Sequence, residues 1–433
     1  SEIIASRARV SHPVAKLKKD KINVFLVYGQ SKAIGDEAFT VISRDLDTSL
    51  GNLMLGDCPR GANYTNAHGA TFGVLGGSNV YKALREKWQN GSMITDAGAD
   101  TWRLGESILS GFLNTLKTLH NDKVGMTNDA ETVLAGSITG CVGTTISTLL
   151  KGAPENYYNR LYTCIEGHVA AAAALGKEIQ IVGTLYLQGE SDSSTSYETF
   201  YNSLKTLKSD IKEDIRSLTG QKDDPAFYIY QTGGVYQAST FDVEKAQMDL
   251  TADNDCFFLA PMSPYPQSAT LKTHKSANGY RWFGCQAAHS VFNVLNGDNT
   301  NVFRMLKAVH MGNEVYVTFN PKVGRLTTKP FYVVGAPTTH ADYGFTVTDN
   351  NGALRFANIA VQIISANVVK ITTSRELSGT VTVSLGDNSH GGQHNIADSS
   401  PQQAIYKFEY FGDKGQSVNE SISSLINKKY PLH

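Results

Sequence analysis

What the sequence lacks narrows the field first. No apolar stretch among its 433 residues approaches the roughly 20 needed for a helix to cross a bilayer, so no membrane-spanning helix is expected. The opening residues Ser-Glu-Ile-Ile-Ala-Ser-Arg carry no apolar signal-peptide core, and with no initiating Met a processed or trimmed chain is expected. Neither sign of charge dominates: Lys and Arg total 39 against 40 Asp and Glu, for a net charge of -1. No run of like charge extends beyond Lys18-Lys19, so neither nucleic acid nor an anionic membrane is an expected partner. The five cysteines (Cys58, Cys141, Cys164, Cys256, Cys285) are odd in number, form no CxxC pair and never cluster with His at ligand spacing. They are expected to be mostly free and buried, and no metal is expected. There is no internal repeat and no low-complexity tract.

What is present reads as two kinds of segment. From about residue 21 to 297, short apolar runs alternate with longer helical patterns. Ile22 to Tyr28, Glu178 to Leu187, Ala226 to Gln231 and Cys256 to Pro261 read as buried parallel strands. Ser107 to Leu119, Tyr157 to Leu175 and Tyr197 to Leu218 have helical spacing between them, and Asn278 to Leu295 reads as a closing helix. Such alternation predicts an α/β unit, a parallel sheet covered by helices on both faces. Beyond residue 300 short alternating strands follow one another, among them Glu314 to Phe319, Val368 to Thr372 and Gly379 to Ser384. Turn signals such as Asp349-Asn350-Asn351-Gly352 separate them and predict a β-sandwich. The boundaries expected are a lead-in over 1–20, the α/β unit over 21–297, the sandwich over 298–410 and a C-terminal arm over 411–433. Tyr (20) and Gly (39) are plentiful, which suits polar ligands such as sugars and many β-proteins alike.

Within this frame Ser31 is the first residue to explain. The run Val27-Tyr28-Gly29-Gln30-Ser31 brings a buried strand into Gly and then a lone Ser, a way to present a nucleophile at a strand's carboxyl end. A Ser hydroxyl needs a base, usually His, and donors for the oxyanion formed on attack. Three later segments offer them. Gly140 to Ile146 could supply a backbone donor at Gly143, and equally suits an ordinary tight turn. Gln188-Gly189-Glu190-Ser191-Asp192 ends a strand: Gln188 could donate its amide, while Glu190 or Asp192 could orient a base, and one of them could simply cap a helix. His274 lies on a polar loop after the last strand of the α/β unit; a solvated or capping role suits a His there too.

Together the Gly29-Gln30-Ser31 block, the glycine turn at 140–146, the Gln188–Asp192 block and His274 resemble the SGNH-hydrolase superfamily. The resemblance is to its sialate O-acetylesterase and acetyl xylan esterase-like branch and covers about residues 21 to 297. It implies a flavodoxin-like parallel sheet and a carboxylic ester hydrolase removing O-acetyl groups from carbohydrate, with no cofactor. By position, Ser31 matches the nucleophile and His274 the general base. The Ser31 amide, Gly143 and Gln188 match the oxyanion donors. Two residues depart from the pattern: Lys32 stands where Asn is usual, and Leu271 stands where the acid of a DxxH block is expected. His274 therefore acts in a dyad with a backbone carbonyl, borrows an acid from elsewhere with Glu190 the first candidate, or leaves the protein inactive; the retained blocks favour the first two.

The β-module, with Asp342-Tyr-Gly-Phe-Thr-Val and Gly391 to Ser399, and the run Gly105-Glu106-Ser107 resemble bacteriophage tail spikes and tail-fibre esterases. That implies a virion tail or extracellular location, an O-acetylated bacterial surface polysaccharide as partner, and leaves a homotrimer open. The rivals are a bacterial secreted acetylesterase, a non-catalytic glycan- or receptor-binding protein on the same scaffold, and a lipase or thioesterase, for which no apolar lid segment is found.

Overall fold

The computed structural model describes residues 14–38, 40–45, 48–61, 71–90, 93–96, 104–233, 241–268, 273–298, 302–321, 324–333, 336–409 and 429–431. Most of the lead-in, Leu271 and the arm up to residue 428 lie outside the described residues.

The strand Lys21–Gly29 (β1) organises the molecule and is buried from Ile22 onward. Because successive side chains point to opposite faces, Ile22, Val24, Leu26 and Tyr28 enter one core while Phe25 and Val27 enter another. The strands Leu53–Leu55 (β2) and Tyr81–Ala83 (β3) follow, then a separate hairpin of Trp88–Asn90 (β4) and Met93–Thr95 (β5). Val133–Ile138 (β6), Glu178–Leu187 (β7), Ala226–Gln231 (β8) and Cys256–Pro261 (β9) complete the sheet. Its order is β3-β2-β6-β1-β7-β8-β9, parallel throughout except at β3. Leaving aside the β2–β3 edge, the parallel strands stand second, first, third, fourth, fifth, which is the flavodoxin-like order expected from the sequence.

Helices cover both faces. Ile108–Val124 (α2) and Ala277–Leu295 (α7) supply the core shared with Phe25 and Val27, while Tyr158–Ala173 (α4), Tyr197–Thr219 (α5) and Asp242–Leu250 (α6) supply the other. Two single turns, Ser31–Ile34 (α1) and Ile146–Leu149 (α3), open off strand ends. The long helices start where polar side chains satisfy orphan amides: Ser107, Ser196 and Ser276 each accept from a backbone N–H in the first turn. Among the described residues no helix is long and apolar enough to cross a membrane. The five cysteines are buried and none forms a disulfide.

Beside several two-stranded pairs, the C-terminal strands build two larger antiparallel sheets on one core. Met305–Met311, Glu314–Phe319, Val368–Thr373 and Ile359–Ile363 make the first; Gly352–Leu354, Phe345–Asp349 and Thr382–Leu385 make the second. The alternation of Glu314–Phe319 turns Val315, Val317 and Phe319 inward, where they join Phe345 and Val347 across the sandwich. The strand Gln403–Lys407, which pairs with Lys429–Pro431, instead returns to the α/β unit. Ala404 and Phe408 are buried in the α2/α7 core, the Arg281 guanidinium lies 4.4 Å from the Tyr406 ring centroid, and the Trp282 and Phe408 rings are 5.7 Å apart.

Candidate active site

β1 and β7 run side by side to the point where the strand order reverses, the place where open α/β sheets bind ligands. There the chain must leave β1 beside the end of β7 with almost no room. Gly29 has φ +141°, and a Cβ built on it would stand 2.1 Å from the Leu187 carbonyl oxygen. Gln30 then donates its amide to Leu187 O at 2.9 Å, and Ser31 starts α1. As the first helical residue Ser31 has no carbonyl a turn behind to accept its N–H. Its side chain is buried, and its Oγ sits 3.5 Å from Gln30 Nε2.

The three blocks found in the sequence meet here through named bonds. Gln30 Oε1 accepts from the amides of Gly189 and Ser191 at 3.3 and 3.2 Å, fastening the segment that carries Ser31 to the end of β7. Asp192 accepts the Ile146 amide at 2.8 Å and so fixes α3, while Cys141 N bonds Gly29 O at 2.8 Å. Burial pushes the Asp192 carboxyl up, against the hydrogen bonds from Gln188 and Ile146. Gly143, at φ +64°, projects from this loop and is exposed, with no hydrogen bond to its amide among the described residues. Gln188 is engaged at both ends of its amide: Nε2 gives its hydrogens to Thr144 O and to Asp192, and Oε1 accepts from Tyr186 OH at 2.9 Å. Its amide thus braces the loop that carries Gly143.

His274 is held by the segment after β9. Its carbonyl accepts the Ser268 amide at 2.9 Å, and Lys275, beside it, donates Nζ to the carbonyls of Ser263 and Tyr265 at 3.2 and 3.0 Å. Burial, and then the Lys32 charge, hold the Lys275 ammonium well below the ordinary lysine range. His274 Nδ1 lies 3.0 Å from Glu37 Oε2, and Nε2 lies 3.8 Å from Asp36 Oδ2. No hydrogen bond joins His274 to Ser31 among the described residues.

Glu190, the first candidate for the acid, is engaged elsewhere. It accepts from Lys32 Nζ at 2.7 Å and from Tyr230 OH at 2.5 and 2.6 Å, and Lys32 also donates to Gly233 O at 3.1 Å. Burial and the Glu190 charge push the Tyr230 phenol well above its usual range. The lysine in place of Asn is thereby explained: it neutralises a buried carboxylate next to Ser31. Two carboxylates not singled out in the sequence, Asp36 and Glu37, lie against His274. Their signal was an acidic pair five and six places after Ser31, immediately behind a Gly. Gly35 caps α1 at φ +78° and turns the chain so that both carboxylates face His274. Arg60 anchors the far end of α1, donating to Ile34 O at 3.2 Å while pairing with buried Glu86. Among the described residues no group of three or more His, Cys, Asp or Glu is placed to hold a metal ion.

The arrangement can present a hydroxyl, a base with one ring nitrogen anchored, and open amides. No known family model matches this sequence, and no curated protein does. Among solved structures the chain is similar to XAC1771, a carbohydrate acetylesterase from Xanthomonas citri, at 13% identity over 87% of this chain and 78% of that one, with a TM-score of 0.55. Weaker likenesses are to the Arabidopsis thaliana protein AT4G34215 (14% identity, 63% of this chain and 98% of that one, TM-score 0.42) and to NanS (12%, 66% and 98%, TM-score 0.39). The protein thus shares its fold, a helix-covered and mostly parallel sheet with further antiparallel sheets, with a carbohydrate acetylesterase.

Proposed function

We propose that this protein is a serine esterase that removes O-acetyl groups from carbohydrate, and that its substrate is a bacterial surface polysaccharide met by a virion tail. Ser31 Oγ attacks the acetyl carbonyl carbon and its proton passes to His274 Nε2. The amides of Ser31 and Gly143 hold the oxyanion, with Gln188 keeping the Gly143 loop in place. Collapse breaks the ester bond, the departing sugar oxygen takes the proton from His274, and the acetyl group stays on Ser31. Water, deprotonated by the same imidazole, then releases acetate and restores the serine.

One observation carries the reading: a buried Ser31 begins a helix turn at the carboxyl end of β1, and the buried His274 ring is anchored on that same segment through Glu37. The fold shared with a carbohydrate acetylesterase supports it. The polysaccharide and the tail rest on the resemblance of the 342–347 and 391–399 segments to tail-spike esterases. A glycan-binding role without catalysis is favoured by one feature, the engagement of both Gln188 amide hydrogens.

The test measures acetate released from O-acetylated bacterial polysaccharides, with 4-nitrophenyl acetate alongside. Ser31→Ala is expected to lower kcat by roughly 10⁴- to 10⁶-fold. Binding of the glycans without acetate release by the wild-type protein would establish the binding role instead.

A further inference from the structure

We infer that Glu37 is the positioning acid of His274, so that nucleophile, acid partner and the turn joining them come from one seven-residue segment, Ser31 to Glu37. The inference rests on the serine-esterase reading and supplies the group that reading lacks.

Three observations converge on Glu37. The first is geometric: His274 Nδ1 and Glu37 Oε2 are 3.0 Å apart, and no backbone carbonyl takes that nitrogen. A carboxylate accepts, so Nδ1 carries the hydrogen and Nε2 keeps the lone pair required to take a proton from Ser31. The second is burial: Glu37 is 1% exposed and Oε1 has no hydrogen-bond partner, so a polar group has been kept out of water with half its capacity unused. A carboxylate retained there for stability alone would be a poor choice, since an unsatisfied buried polar atom costs about 1–3 kcal/mol. The third is strain. Glu37 has φ 60°, the left-handed region that branched and long side chains avoid, at a cost of about 1–3 kcal/mol. Asp36 adds to it by accepting the Glu37 amide on Oδ1 at 3.1 Å and by giving its own carbonyl to Tyr280 OH at 2.9 Å. The segment is therefore locked from both sides in a conformation whose evident result is the Glu37–His274 contact.

The other carboxylates near the site do not compete. Glu190 is held by Lys32 and Tyr230, Asp192 by Gln188, Ile146 and Thr195. Asp36 reaches only toward Nε2, at 3.8 Å, the side on which the proton arrives. A glutamate that holds Nδ1 and is carried by the nucleophile's own turn replaces an aspartate three residues before the histidine.

The experiment compares wild type, Glu37→Gln, Glu37→Asp and Ser31→Ala with 4-nitrophenyl acetate and an O-acetylated polysaccharide, together with ¹⁵N spectra of the imidazole nitrogens. Glu37→Gln is expected to lower kcat by about 10³- to 10⁴-fold with KM changed less than about threefold, as for loss of a triad acid. Glu37→Asp should recover part of that loss. In the wild-type spectrum the neutral His274 ring should be protonated on Nδ1, and Glu37→Gln should shift the ring toward the Nε2–H form. Retention of kcat within tenfold in folded Glu37→Gln, while Ser31→Ala is inactive, overturns the inference and keeps the esterase. Absence of hydrolysis in the wild type overturns both. A wild-type ring protonated on Nε2 overturns the role of Glu37 without any variant, which covers the case of a variant that does not fold.

Discussion

Replacing Lys32 with Met tests whether the departure from the usual Asn is a structural necessity. The ammonium and the Glu190 carboxylate are 2.7 Å apart, with side-chain exposures of 2% and 5%. At an effective dielectric of about 20 such a pair attracts by roughly 6 kcal/mol, much of which offsets the cost of taking both charges out of water. The net value of the pair is thus small, but removal of one partner is not: Glu190 would keep only Tyr230, and about 3–5 kcal/mol of stability should be lost. Glu190→Gln should cost a similar amount by leaving the buried lysine charge without its carboxylate, although Gly233 O still accepts from it. In Lys32→Met with Glu190→Gln neither charge is stranded, so the double loss should fall short of the sum of the singles by at least about 2 kcal/mol. Urea unfolding followed by tryptophan fluorescence is suited to this, because Trp88 and Trp282 are both buried in the α/β part and the chain has no tryptophan beyond Trp282. Two single losses below about 1 kcal/mol that simply add would refute the reasoning.

Two further outcomes are expected. Gly29→Ala should destabilise by roughly 2–5 kcal/mol and impair acetate release, since the new methyl must displace the Leu187 carbonyl 2.1 Å away; a stability within about 1 kcal/mol of wild type in the same unfolding assay would contradict the crowding seen at the end of β1. In the sandwich, the protonated His390 ring donates from Nδ1 to Asp387 Oδ1 and from Nε2 to Asp342 Oδ2, 2.9 and 3.0 Å away. Burial opposes its charge, yet the hydrogen bonds and charges of the two aspartates prevail and raise it above the usual histidine range. A raised folded-state value gives stability that is complete below about pH 6.5 and is lost as pH rises through that value. Calorimetry should therefore show the sandwich melting lower at pH 9 than at pH 6, with the difference reduced in His390→Gln; an equal difference in both proteins would remove His390 as its cause.

The strands of the sheet were legible because burial on both faces writes an unbroken apolar run. Glu178–Leu187, Ala226–Gln231 and Cys256–Pro261 stand where the composition put them. β6 was not, since Gly136 and Ser137 interrupt Val133–Ile138 with poor strand formers that are nonetheless fully enclosed. Met305–Met311 escaped for the opposite reason: it is mostly exposed, so nothing forces alternation on it. The Gln403–Lys407 strand read as part of the sandwich because its residues suit either partner, and only the tertiary structure assigns Ala404 and Phe408 to α2 and α7. At the site, Ser31 and His274 could be found from their neighbours in the chain. Glu37 could not, because its meaning depends on a left-handed turn and on a loop more than 230 residues away, as the separation of 237 between Glu37 and His274 shows. Glu190 stood out because its block is polar at a strand end, and the structure sets its carboxylate against Lys32 and Tyr230.

The return of Gln403–Lys407 to the α/β unit bears on how the protein comes off the ribosome. The layer formed by α2 and α7 is closed by Tyr406 and Phe408, so synthesis must run past residue 408, with the whole sandwich already emerged, before that layer can be sealed. Until then Trp282 lacks the cover of Tyr406 and Phe408, so this docking is a late, long-range step across a sequence separation of more than 100 residues, the 124 that part Trp282 from Tyr406. A fragment ending near residue 297 would contain Ser31, His274 and the sheet, and would still expose this unsealed apolar seam.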